Sequence, residues 1–161
     1  FLYARPEVQR LLKPLVVSWG YESDTPSASQ FVDHFEWWGT RDLAAFLTVP
    51  TAIQFQQEQD WGRVRSACHE LVREAEARIR QLTGLPSIYP DDSWFGQFAA
   101  APLPASTDVK QLKDWLYANH RIEVPIIDWR GRKFARVSVQ VYNTRREVDA
   151  LAKALQDYFS K

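Results

Sequence analysis

The sequence predicts an α/β fold of the α+β two-layer sandwich kind, a three-stranded, mainly antiparallel sheet with helices on one face. Three observations predict it. Apolar residues recur at helical spacing through Val64, Ala67, Cys68, Leu71, Val72, Ala75, Ile79 and Leu82. Over 133–142 the spacing drops to two, with Ala135, Val137, Val139 and Val141 on one face and Phe134, Arg136, Ser138 and Gln140 on the other. Between Ile122–Trp129 and Lys133–Tyr142 stands Arg130-Gly131, a turn of the kind that joins hairpin strands. From Trp61 the order is therefore helix, strand, helix, strand, strand, helix.

Phe1-Leu2-Tyr3-Ala4 has strand composition and precedes a short helix opened by Pro6 and ending near Leu12. Ser18–Ser29 is polar and reads as a long loop, with His34 in loop as well. Thr40 or Asp42 caps a helix bearing Leu43, Phe46 and Leu47, which Pro50 breaks or kinks before Ile53 and Phe55. Asp60 caps the long helix and Gly84 stops it, with Glu74–Arg78 and Glu76–Arg80 pairs on its wet side. Trp94–Ala101 reads as a strand and Thr107 opens a helix carrying Val109, Leu112, Trp115 and Leu116. Thr144-Arg145-Arg146-Glu147 has the form of a capping box before a helix with Val148, Leu151, Leu155, Tyr158 and Phe159 on one side. These elements suggest three regions: 1–39 leaning on a partner, a kinked connecting helix over 40–60, and a self-sufficient domain over 61–161.

The balance of 20 Lys+Arg against 20 Asp+Glu leaves no net charge among 161 residues, which argues against nucleic acid or an anionic membrane as the main partner. No apolar run approaches the length of a membrane span, and no segment has the form of a signal peptide. A single cysteine excludes a disulfide framework, no Cys/His cluster has zinc spacing, and the expected compartment is the cytoplasm. Methionine is absent, so Phe1–Lys161 is expected to be a stretch of a longer protein.

Few residues invite chemistry. No Gly-rich phosphate loop is present, His34, His69 and His120 lack ligand-spaced companions, and Cys68 falls within an apolar series that suits an inert thiol. Two features stand apart. Glu36-Trp37-Trp38-Gly39-Thr40-Arg41-Asp42 places a Gly and a Thr where a helix is expected to start, a setting that favours an anion as much as it suits a plain capped helix. Arg136 sits on a strand whose other face is apolar, where a guanidinium either grips a carboxylate in bidentate fashion or remains a surface cation.

In this order the features resemble the C-terminal part of class V aminotransferases, pyridoxal-phosphate (PLP) enzymes of fold type I that include cysteine desulfurases. The likeness is to the isopenicillin N epimerase-like branch. Phe35–Asp42 carries it, with Leu82-Thr83-Gly84-Leu85, Tyr89-Pro90-Asp91-Asp92, Arg121–Pro125 and Arg136–Thr144. The resemblance implies a C-terminal small domain plus a remnant of the large, cofactor-binding domain. It implies that Gly39 and Thr40 reach the PLP phosphate across a homodimer interface, and that Arg136 binds the α-carboxylate of an amino-acid substrate. None of Lys13, Lys110, Lys113, Lys133, Lys153 or Lys161 stands in the family's Schiff-base lysine context, so this chain alone is expected to bind no PLP and to be inactive. Two other readings keep the fold without the chemistry: a stand-alone ligand-binding or interaction module, and a ferredoxin-like regulatory domain that senses an amino acid through Arg136.

Overall fold

The computed structural model of the chain describes residues 2–160. Its helices are α1 (Pro6–Gln9), α2 (Gln30–Phe35), α3 (Ala44–Leu47), α4 (Val49–Glu58), α5 (Trp61–Thr83), α6 (Val109–His120) and α7 (Arg145–Phe159). Its strands are β1 (Phe98–Leu103), β2 (Ile126–Trp129) and β3 (Arg132–Ser138). The chain divides between Ile53 and Gln54 into two compact units.

In the first unit Pro6 starts α1 as expected. Of the expected N-terminal strand, Phe1 lies outside the described residues and Leu2–Ala4 form none, because a strand exists only where a neighbouring strand completes its ladder. Ser18–Ser29 is irregular, as expected, but α2 follows it at once. Ser29 caps that helix, its hydroxyl accepting from Val32 N at 3.3 Å. His34 therefore sits on a helix rather than in a loop, its ring centroid 4.9 Å from that of Tyr21. Gly20 is required here: a Cβ would come 1.8 Å from the Asp33 carbonyl oxygen. Downstream, α3 starts at Ala44, whose N–H the Asp42 carboxylate accepts at 2.8 Å. The expected break near Pro50 takes the form of a turn at Thr48 between α3 and α4. Among the described residues none before Cys68 is buried.

The second unit holds the core. Asp60, with φ 47°, accepts from Arg63 N, and Gly84, with φ 68°, ends α5 in the left-handed conformation. The sheet order is β1-β3-β2, antiparallel throughout. Cys68, Val72, Ala75 and Ile79 of α5, Leu112 and Leu116 of α6, and Val148, Leu151, Ala154 and Leu155 of α7 form one cluster. Ala99, Ala101, Leu103, Ile126, Ala135, Val137 and Val139, all from one face of the sheet and its immediate extension, complete it. Helices thus cover one face, as expected. Arg130 (φ 53°) and Gly131 (φ 80°) make the two-residue turn between β2 and β3, and the Asp128 carboxylate accepts from Gly131 N at 3.0 Å.

Four local readings shift. Trp94 belongs to a short 3-10 turn and is exposed, so β1 begins only at Phe98 and runs through Pro102. Pro102 is tolerated because β1 is an edge strand and the N–H at this parity points away from β3. Two residues earlier the equivalent outward N–H, that of Ala100, donates to the Tyr89 hydroxyl at 2.9 Å. Asp108, not Thr107, caps α6. The Glu76–Arg80 pair forms at 2.9 Å, but Glu76 is only 4% exposed, because α5 packs on both the sheet and α7 and its buried arc is correspondingly wide. Its second oxygen, Oε1, is buried without a hydrogen-bond partner. Around it, Glu74 pairs with Arg78 at 3.6 Å and with Arg145 at 2.8 Å, while Arg78 also pairs with Asp149, tying α5 to α7.

Two predictions follow from this packing. Leu155→Ala, at a fully buried site, is expected to destabilise the second unit by about 3 kcal/mol, measured by urea denaturation. The capping box at Thr144 forms: the Glu147 carboxylate accepts from Thr144 N at 2.7 Å, which holds its pKa below the usual range. A carboxyl depressed in the folded state stabilises above its unfolded pKa and loses that contribution as pH falls through the folded value. Stability is therefore expected to drop in acid, below about pH 4, and Glu147→Gln should flatten that limb in a pH series of thermal melts.

Candidate functional site

Arg136 is placed by the two-residue period of β3. Its neighbours Ala135 and Val137 point into the core, so Arg136 must point to the opposite face of the sheet, which it shares with the buried Phe134. Its N–H donates to Pro125 O at 2.9 Å, which fixes the backbone. The residue directly opposite on β1 is Ala100, too small to fill the space or to offer a charge. The guanidinium is exposed and has no ion-pair or hydrogen-bond partner in the described chain. Five N–H donors on a rigid stem, unpaired, over an alanine, are suited to receive a planar carboxylate.

Gly39 and Thr40 lie in the first unit and Arg136 in the second. The expected helix start is not at Thr40: α3 begins at Ala44, the N-cap position falls on Leu43 without a side-chain bond, and the Asp42 carboxylate accepts from Ala44 N. Gly39 has φ 119° with open space where a side chain would stand, and Thr40 is exposed. The pair thus offers a glycine backbone and a hydroxyl on an accessible turn, which a phosphate group can reach, without the dipole of a long helix behind it. Arg41, which the sequence reading did not single out, holds this turn. Its Nη2 donates to Glu36 O at 2.9 Å, and its guanidinium lies 5.9, 5.8 and 5.4 Å from the ring centroids of Trp37, Trp38 and Phe46. The adjacent tryptophans ahead of an arginine were the available signal.

The remaining candidates are structural. His69 Nδ1 is 3.2 Å from Gly96 O and its ring packs on Phe95; His120 packs on Trp115 at the end of α6. Cys68 is buried beside a cleft of about 460 Å³ between the start of α5 and the residues after β3, lined by Asp60, Arg63, Leu71, Gln140 and Asn143 among others. Lys110, Lys133 and Lys153 are paired with Asp114, Asp128 and Asp157, and Lys161 lies outside the described residues. Among the described residues no acidic, His and Cys group has the makings of a metal site, and no helix is long and apolar enough to cross a membrane.

No protein-family model matches the chain. Against known proteins it is 36% identical to an isopenicillin N epimerase of Amycolatopsis lactamdurans over 98% of its length, and 32% identical to an isopenicillin N epimerase of Streptomyces clavuligerus over 96%. A probable cysteine desulfurase of Halalkalibacterium halodurans is 27% identical over 75% of the chain. The chain spans 42% of the length of each of the two epimerases. A three-stranded antiparallel sheet under helices, with similarity along nearly the whole chain, places this protein in the PLP-dependent class V aminotransferase-like family, where it corresponds to the C-terminal part of isopenicillin N epimerases.

Proposed function

We propose that the chain is the small domain, with a tail of the large domain, of an isopenicillin N epimerase-like enzyme that acts on the amino group or α-carbon of an amino acid, as a cytoplasmic homodimer. The observation that carries the reading is Arg136, an exposed guanidinium without a partner among the described residues, on the face of the sheet opposite the helical core, in a chain 36% identical to such an epimerase. Arg136 grips the substrate α-carboxylate by two parallel N–H···O bonds, which fixes the amino acid at one end and leaves its α-carbon free to be oriented. Gly39 and Thr40 bind the cofactor phosphate from the neighbouring protomer, the first through its backbone and the second through its hydroxyl. Bound PLP supplies an electron sink for the α-carbon. The lysine that holds it and the acid that pairs with its ring nitrogen belong to the length of protein this chain does not span. Alone, the chain binds no PLP and carries out no turnover.

The test uses the full reading frame that contains this chain. Arg136→Lys keeps the charge and loses the fork, so KM for the amino acid is expected to rise about tenfold or more while cofactor absorbance is unchanged. Thr40→Val is expected to weaken cofactor retention in dialysis and leave the KM of the reloaded enzyme alone. An unchanged KM in Arg136→Lys removes Arg136 from the site. A reading frame in which residues 1–161 are the whole natural protein, with amino acids still binding at Arg136, favours the ligand-binding module instead.

A further inference from the structure

We infer that Arg41 is the positioning residue of the Gly39–Thr40 turn: its guanidinium is the clasp that holds residues 36–41 in the shape that presents the Gly39 backbone and the Thr40 hydroxyl. The inference rests on the reading of those two residues as phosphate-binding elements.

The turn has little else to hold it. Residues 37–41 lie between α2 and α3 and belong to neither. Among the described residues, none of the five makes a backbone–backbone hydrogen bond, and their one side-chain hydrogen bond is Arg41 Nη2 to Glu36 O at 2.9 Å. That bond closes a ring of chain containing Trp37, Trp38, Gly39 and Thr40. The same guanidinium lies 5.9 Å from the Trp37 ring centroid, 5.8 Å from that of Trp38 and 5.4 Å from that of Phe46 on α3. Among the described residues Arg41 has no carboxylate partner, so its charge is directed at rings and a carbonyl rather than at an ion pair. A planar, delocalised cation suits this set, since it donates in plane to the carbonyl while its charge stays within reach of the rings. Gly39, at φ 119°, is the flexible point of the ring and would otherwise let the turn open. An exposed loop with a glycine and a single clasp is easily lost, and Arg41 supplies that clasp from both ends.

The experiment uses the 161-residue chain, labelled for amide and indole NMR, with inorganic phosphate as the probe. In wild type, phosphate is expected to shift the Gly39 and Thr40 amides. In Arg41→Gln the Trp37 and Trp38 indole signals should move toward free-tryptophan positions, and phosphate affinity at Gly39 and Thr40 should fall about tenfold. Arg41→Lys separates clasp from charge: the clasp requires a loss close to that of Arg41→Gln, whereas wild-type affinity in Arg41→Lys means simple charge attraction and overturns the proposal. Phe46→Leu removes one ring without touching any charge and should shift the same two indoles. Indoles unmoved in both Arg41→Gln and Phe46→Leu also overturn it. If phosphate shifts nothing in wild type while the indoles respond to Arg41→Gln, the phosphate reading of Gly39 and Thr40 fails and the clasp itself stands.

Discussion

The second unit depends on one seam, the packing of α5 against a sheet lined with alanine. Val72, Ala75 and Ile79 descend onto Ala99, Ala101 and Ala135, all nearly or fully buried. Small side chains on the sheet let a 23-residue helix lie close to the backbone, and each buried methylene there is worth about 0.8 kcal/mol. Leu116 and Leu155, from α6 and α7, then fill what the alanines leave. Because the seam uses one face of the sheet completely, the pleat leaves the alternate residues of β3 outside it.

That constraint is what makes Arg136 available. A one-residue slip in the β1–β3 register would drive the guanidinium into the alanine seam and bring Ala135 and Val137 out. Register is therefore enforced by burial on one side and leaves Arg136 exposed on the other. The first unit has no comparable seam. Trp19 is 87% exposed and Trp38 57%, and what order its turns have comes from local contacts, among them Tyr21 against His34 and Gly20 against Asp33.

The parts of the fold that were legible in the sequence are those set by short-range rules. The α5 stripe, its caps at Asp60 and Gly84, the Arg130-Gly131 turn, the alternation of β3 and the Thr144 capping box all depend on residues within four positions of one another. Arg136 was legible for the same reason, since a parity count gives its face. What was not legible depends on neighbours distant in sequence. Glu76 is buried because α7 comes to lie beside α5, and Leu2–Ala4 form no strand because no partner strand arrives. Of Thr40 and Asp42 neither takes the N-cap position of α3, which falls on Leu43, although the Asp42 carboxylate accepts from Ala44 N. α2 hid behind a polar loop whose last serine was its cap.

The outer edge of β1 has a consequence of its own. Along that edge two of the donor positions that face away from β3 are removed: the Ala100 N–H is taken by the Tyr89 hydroxyl, and Pro102 has no N–H to offer. An edge treated this way is a poorer template for a further strand, which works against the runaway strand addition that leads to fibrils.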